Sequence, residues 1–431
     1  MPEVSSIMDP VQLQPFSHQV GGSTSVMSFN DTTLCKPLNP REHYFYLHMP
    51  QDLKQFTPEY RGLIEVKLQE DSDGYITYLG YPDSSDQQKS PIPSQWKSPL
   101  SCKMSSPISS QRSSPTSSQR SSPESSGSDR ESPVILGDKK KLDESNSGNT
   151  SIRLLRSGSV EVSTQTGTLF HTLDPGKSGK TTGVNPWTVK CQKRLISRMK
   201  NSKACKFILL ENVAAKFENP CVLDMKMGTR QHGDDATEEK KERFMKKCQS
   251  STSSLIGTRI CGLQVYQVHT GKYICQNKYH GRSLTLDGFK QTLYQFLHNG
   301  CELRTDVIDA IIHQLQKLSH VLSEQDTFRF YSSSLLLMYE GYQSQNDNDK
   351  DQSSSSNGPT KGDNCKCDNQ KGDKPINRSD NFKIDIRMID FAHSTYLGIQ
   401  DEKTVHNGPD TGYLFGLRHL IDLFTEIKQV G

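Results

Sequence analysis

The chain has 431 residues, a hydrophobic fraction of 32% and a mean hydropathy of −0.70. Length alone allows two or three domains, but so polar a chain cannot be packed throughout, and part of it is expected to be disordered. A net charge of +3 and a pI of about 8.2 exclude a broadly basic nucleic-acid binder, so any anion site must be a local cluster.

Residues 1–83 read as a β-rich amino-terminal part. Phe16 to Phe29 and Thr33 to Lys36 suggest strands broken at Gly21-Gly22, and Arg41 to Leu53 has helical character. Arg61 to Leu68 and Gly74 to Tyr81 suggest a strand pair about the acidic turn Asp71-Ser72-Asp73. Residues 84–184 then read as a disordered insert rich in Ser and Pro. The unit Ser-Ser-Pro-Ile-Ser-Ser-Gln-Arg recurs as Ser-Ser-Pro-Thr-Ser-Ser-Gln-Arg and again as Ser-Ser-Pro-Glu. So short and polar a repeat cannot bury a core. Ser106, Ser114 and Ser122 each precede proline, so proline-directed kinases and regulatory proteins are candidate partners of a phosphorylated insert, with a passive linker as the alternative. Lys139-Lys140-Lys141 suits part of a nuclear import signal.

Residues 185–431 read as an α+β body. Gln192 to Lys200 suggests a helix and Lys206 to Leu210 a short buried strand. Asp235 to Gln249 suggests a charged helix, capped by Asp234 or Asp235 with Glu238 in a capping box. Ile260 to Val268 and Lys272 to Lys278 suggest paired strands. Leu286 to His298 and Asp306 to Leu322 carry apolar residues at helical spacing, with Asn299-Gly300 as a stop. Phe328 to Tyr339 suggests a strand, and residues 343–380 a second polar, disordered insert. Phe382, Ile384, Ile386 and Met388 alternate as a strand entering Asp390, and the last helix spans about Gly412 to Gln429. No signal-peptide pattern opens the chain, so its 11 cysteines are expected to be reduced thiols. A metal at Cys365 and Cys367 would lack a second cysteine pair. No run reaches the ~18 apolar residues of a membrane span.

Pro220 to Ala236 is the most informative run. Asp224 and Lys226 are two apart on an apolar strand and so face the same way. Gly228 then opens a turn where backbone can approach a ligand. Asp390, leaving an apolar strand in Ile389-Asp390-Phe391, suits metal coordination, and it follows the serine run Ser332-Ser333-Ser334. Lys240, Arg243 and Lys247 share one helix face, flanked by Lys241 and Lys246, with Arg230 and His232 just upstream. Ordinary i,i+4 surface pairs such as Glu239–Arg243 and Glu242–Lys246 are the competing reading of that helix.

Pro220, Asp224, Lys226 and Gly228 resemble the Pro-x-x-x-Asp-x-Lys-x-Gly signature of the inositol polyphosphate kinases. The continuation Thr229 to Asp235 resembles the branch acting on inositol hexakisphosphate. The resemblance implies a two-lobed α+β fold, kinase-like and related to protein kinases and ATP-grasp enzymes, with ATP and Mg2+ between the lobes. It implies that Lys36 contacts ATP phosphates, that backbone at Glu211, Asn212 and Val213 binds adenine, and that Asp390 holds the metal. Glu42 is the nearest candidate partner for Lys36, but related kinases carry a glutamate where Leu47 stands, and that departure leaves the partner in doubt. Ser23 stands where a histidine follows the paired glycines. The resemblance further implies that Pro220, Lys226, Gly228, Arg230, His232 and the cations of residues 240–247 bind the acceptor, with Lys278 and Arg282 as further candidates.

The expected activity is phosphorylation of a phosphate of inositol hexakisphosphate, at ring position 5, with inositol pentakisphosphate as a second acceptor. Six phosphates carry about −9 to −12. An acceptor phosphate oxygen is already ionised near pH 7, so cations rather than a base should dominate, with Lys226 bridging the reacting groups. Asp224 is expected to position ATP, through its ribose, and to fix Lys226. The alternatives are a kinase acting on a ring hydroxyl, where Asp224 would assist with a proton, and a signalling scaffold working through the inserts. Cytoplasm and nucleus are the expected locations, without membrane or nucleic-acid partners.

Overall fold

The computed structural model describes residues 9–82, 151–155, 158–163, 167–172, 180–200, 202, 204–342, 384–399 and 404–431. Two sheets carry the molecule. The first is built mainly from the amino-terminal part. Its strands are β1 (Val11–Pro15), β2 (Met27–Asn30), β3 (Thr33–Pro37), β4 (Tyr60–Glu70) and β5 (Tyr75–Pro82), joined by β10 (Cys205–Glu211) between β3 and β4. β1 also pairs with β5, so these six strands close on themselves. Closure leaves no free edge among them. Alternating residues such as Ile64, Val66, Ile76 and Tyr78 fill the core beneath, where α3 (Pro186–Met199) adds Leu195, Ile196 and Met199.

The second sheet runs β15 (Ile384–Ile389), β14 (Ser334–Glu340), β11 (Pro220–Met227), β12 (Thr258–Gln267) and β13 (Lys272–Asn277). β11 is central and buried along nearly its whole length, which explains its unbroken apolar run. One face is covered by α7 (Leu286–Phe296), α8 (Ile308–Ser323) and α9 (Thr411–Val430), whose apolar stripes form the largest core with Leu223, Met225 and Leu337. Among the described residues no helix is long and apolar enough to cross a membrane.

Several elements depart from expectation. Phe16 to Val26 is loop, and β1 lies before it. The expected helix at Arg41 to Leu53 is two, α1 (Pro40–His48) and α2 (Gln51–Lys54), because Pro50 cannot continue a helix. α3 begins at Pro186, where proline's missing N–H is harmless and Asn185 accepts from the Trp187 N–H. The cap of α4 (Glu238–Gln249) is Thr237, not Asp234 or Asp235. Asp234 is instead engaged by Arg230 and His406. Two short helices went unanticipated, α5 (Ser253–Ile256) and α6 (Lys278–Ser283), the latter taking Lys278 out of the expected strand. β14 starts at Ser334, not Phe328.

The expected insert at 84–184 is partly folded. β6 (Ser151–Leu154) and β7 (Val160–Ser163) extend the first sheet beyond β5. β8 (Leu169–Thr172) and β9 (Lys180–Thr182) extend the second beyond β13. Bulk polarity hid these strands, although Ile152, Val162 and Phe170 are buried. The serine repeat, Lys139 to Lys141, residues 343–380 with Cys365 and Cys367, and Phe382 lie outside the described residues. None of the eight described cysteines is in a disulfide.

Candidate active site

β3 brings Lys36 to the mouth between the sheets. Its ammonium donates to Glu42 Oε1 at 2.7 Å and to Asp390 Oδ1 at 3.0 Å. Glu42, 2% exposed on α1, is therefore the partner that the departure at Leu47 left in doubt, while Leu47 itself faces solvent. Burial opposes the charge on Lys36, but Glu42 and Asp390 outweigh it and raise its pKa above the ordinary value. Asn39 caps α1 by accepting from the Arg41 and Glu42 N–H groups. Phe45 on the same helix stacks on Phe391 at 4.5 Å and so fixes Asp390 against α1.

Asp390 sits just past β15 with φ at 68°. A non-glycine residue in that region signals a site where surroundings impose the backbone. Its second oxygen accepts from the Lys226 ammonium at 3.3 Å, and that ammonium also donates to the Ser332 carbonyl. Burial works against the Asp390 charge, but Lys36 and Lys226 overcome it and hold its carboxyl well below the usual range. The expectation that Asp224 fixes Lys226 is thus corrected. Asp390 and Ser332 hold the lysine directly, and Asp224 acts on it only through space.

Asp224 is 3% exposed, and its Oδ1 has no hydrogen-bond partner among the described residues. Burial pushes its pKa up to about 6, although Lys226 pulls the other way. The loop carrying Gly21 lies directly over it. A Cβ on Gly21 would collide with the Asp224 carboxylate, and one on Gly262, its partner across β12, with the Val20 carbonyl. These glycines are needed for close approach rather than for a turn.

At the end of β10 the Glu211 and Asn212 N–H groups are already engaged by Glu59 and Thr32 carbonyls. Arg387 and the Glu59 N–H take the Glu211 carboxylate. The Val213 N–H has no acceptor among the described residues, so at this segment Val213 is the donor left for a ligand.

The acceptor candidates separate. Pro220 begins β11 and lies six residues, about 20 Å of strand, from Lys226. It belongs to the sheet and does not reach the cluster. Gly228 (φ 88°) turns the chain, held by its N–H to the Gly257 carbonyl and by Gln231 Nε2 on the Met227 and Gly228 carbonyls. Arg230 donates to Asp234 and to the carbonyl of His232 and lies 4.2 Å from the Tyr331 ring, so its charge is already matched. Lys241 and Lys246 pair with Glu238 and Glu242, as surface pairs would. Lys240, Arg243 and Lys247 have no carboxylate partner among the described residues, and Glu239–Arg243 does not form. Burial, Arg282, Arg243, Arg259 and Lys278 together lower the Lys247 pKa.

His393, given no role from sequence, links α4 to the cluster. Its ring meets Phe244 edge-on at 6.3 Å. Burial, aided by Lys240 and Lys226, lowers its pKa to about 4, so it is neutral at pH 7. Its position three residues after Asp390 was the available signal. Among the described residues no group of three or more His, Cys, Asp or Glu forms a metal site. The carboxylate that this cluster offers a divalent ion is that of Asp390.

The family model described as inositol polyphosphate kinase matches residues 207–425. Inositol hexakisphosphate kinase 1 of Rattus norvegicus is 42% identical over 97% of this chain and 94% of its own. Inositol hexakisphosphate kinases 3 and 2 of Homo sapiens are each 39% identical over 97% of this chain and 96% and 95% of theirs. A crystal structure of an inositol phosphate multikinase from S. cerevisiae with ADP and Mn2+ aligns at 23% identity and a TM-score of 0.39, over 52% of this chain and 84% of that one.

Proposed function

Because this chain belongs to the inositol polyphosphate kinase family, we propose that it transfers the γ-phosphoryl group of ATP to a phosphate of inositol hexakisphosphate, releasing ADP and a diphosphoinositol pentakisphosphate. Position 5 of the ring, and inositol pentakisphosphate as a second acceptor, belong to the same reading. The observation that carries it is the convergence of Lys36 and Lys226 on the two oxygens of Asp390. Two ammonium groups held a carboxylate apart suit the two sides of a phosphoryl transfer.

An acceptor phosphate oxygen attacks the γ-phosphorus as the bond to the β–γ bridging oxygen breaks, and ADP leaves with the electron pair. No proton need be removed, so the chemical difficulty is the meeting of two anions. Lys226 places its charge between acceptor oxygen and γ-phosphoryl, and Lys36 takes the nucleotide side. The Val213 N–H receives adenine, and the unpaired Asp224 Oδ1 accepts a ribose hydroxyl. Asp390 would hold Mg2+ with the nucleotide phosphates, and the ion supplies neutralisation of charge on the transferred group.

One observation favours a second reading within the class. A buried carboxylate with a pKa near 6 and a free oxygen is also what a base for a ring hydroxyl requires. A product assay separates the two. Wild-type and Lys226→Ala protein receive ATP, Mg2+ and inositol hexakisphosphate, and products are resolved by charge. A more acidic product, with kcat lowered about 100-fold or more in the variant, is expected. Turnover of a less phosphorylated inositol alone would move the assignment to hydroxyl phosphorylation.

A further inference from the structure

α3 and α6 meet around two aromatic rings, Trp187 and Tyr279, which pack edge-on at 6.1 Å. Three cations crowd the indole. Lys190 Nζ lies 4.9 Å from its centre, Lys278 Nζ 5.0 Å and the Arg194 guanidinium 5.6 Å. Lys190 is also 4.5 Å from the Tyr279 ring, and Arg282 is 5.8 Å from it on the same helix as Lys278. None of these four cations has a carboxylate partner among the described residues. A ring offsets part of the cost of a nearby cation, not the repulsion among four. Burial first, then Arg282 and Arg194, lower the Lys278 pKa. Such a cluster is poised for an anion.

Its placement says which anion. Asp224, Gly262 and Asn277 form one row across β11, β12 and β13. Lys278 follows Asn277, so α6 begins two strand spacings, about 10 Å, from the proposed nucleotide contact at Asp224. On the other side the Trp187 indole N–H donates to the Gly21 carbonyl at 3.0 Å and the Gly22 carbonyl at 3.3 Å, the loop that covers Asp224. The cations of α4 continue the same field through Lys247 and Arg282.

We propose that Lys190 and Arg194 of α3 complete, with the acceptor candidates Lys278 and Arg282 of α6, an anion platform that holds acceptor phosphates remote from the reacting one. The platform rests on the function proposed above and deepens it. Lys190 and Arg194 become residues that select the most highly phosphorylated ring, because an acceptor with fewer phosphates leaves some of these charges unmatched. α3 lies outside the signature run, and nothing in its sequence marks it as a binding element.

Steady-state kinetics on Lys190→Gln/Arg194→Gln protein provide the test. KM for inositol hexakisphosphate should rise about tenfold or more, as expected on losing charge-assisted contacts, while kcat and KM for ATP stay within about twofold. An unchanged KM for the hexakisphosphate would sink the platform, as would a rise in KM for ATP of the same size. The two cases are distinct from failure of the parent reading, in which wild-type protein makes no product from the hexakisphosphate. A second measurement stands even if the double variant folds poorly. Trp96→Phe protein leaves Trp187 as the sole tryptophan. Its emission should change saturably on adding inositol hexakisphosphate without nucleotide, and a flat titration would overturn the proposal.

Discussion

Burying the Asp224 carboxylate with one oxygen unpaired costs the fold stability at neutral pH. Its folded pKa of about 6 lies above the ordinary carboxylate value of 3.8. As pH rises from about 4 to 6 the unfolded chain releases a proton that the folded chain retains, so stability falls across that window and the loss is complete above it. The gap corresponds to on the order of 3 kcal/mol at pH 7. Asp224→Asn protein should therefore be more stable than wild type at pH 7 by about 1–3 kcal/mol, with a flatter profile between pH 4 and 6, while nucleotide affinity falls. Chemical denaturation at pH 5 and pH 7 checks this, and a variant less stable at pH 7 would refute it. Lys36, Asp224, Lys226 and Asp390 stand out in the sequence because each lies in a short run whose polarity breaks an apolar strand. Gly21 reads only as a strand break and Gly262 not at all, because the reason for each glycine is a contact with a residue remote in the chain. His393 is silent for a related cause, since its partner Phe244 sits on a helix that looks wholly solvated when read alone.

At the level of elements, periodicity is a sound guide where a face is buried and a poor one where geometry is set by caps. α7, α8 and α9 follow their apolar spacing, whereas α4 starts at Thr237 because Asp234 has better partners in Arg230 and His406. The contact between α9 and the start of β12 depends on something periodicity omits. Gly257 (φ 68°) faces Gly416 so closely that a Cβ on Gly416 would stand 2.5 Å from the Gly257 carbonyl oxygen. That carbonyl accepts from the Gly228 N–H, which anchors the turn after Lys226. Alanine is favoured over glycine by about 1 kcal/mol in a helix interior, yet overpacking against backbone costs about 1–3 kcal/mol. Gly416→Ala should thus destabilise by up to about 2 kcal/mol and lower kcat as the turn shifts. Thermal melting with a parallel activity assay decides it, and a raised melting temperature would show that the helix preference wins.

Across the whole molecule, composition separates ordered from polar chain only coarsely. Residues 84–184 read as one polar block, yet the later part pairs with both sheets, because a few buried residues such as Ile152 and Phe170 suffice when an edge strand is waiting. Nor does composition disclose how the sheets are joined at the site. Lys36 belongs to the first sheet, while Lys226 and Asp390 stand at the ends of strands of the second, so one carboxylate holds an ammonium group from each side. That arrangement dictates an order of arrival. If Asp390 holds the metal, as proposed above, a divalent cation coming alone must displace two lysines from it, leaving them facing each other and the ion. A nucleotide offers the lysines phosphate oxygens in exchange and frees Asp390 at the same moment. Metal and nucleotide should consequently recruit one another. Calorimetry should find Mg2+ binding at least about tenfold tighter in the presence of ADP than without it, with the same factor gained by ADP from Mg2+. Independent affinities would mean that the lysines never leave. On that proposal the two lysines stand in for the metal between encounters, and the resting carboxylate is kept neutralised by them.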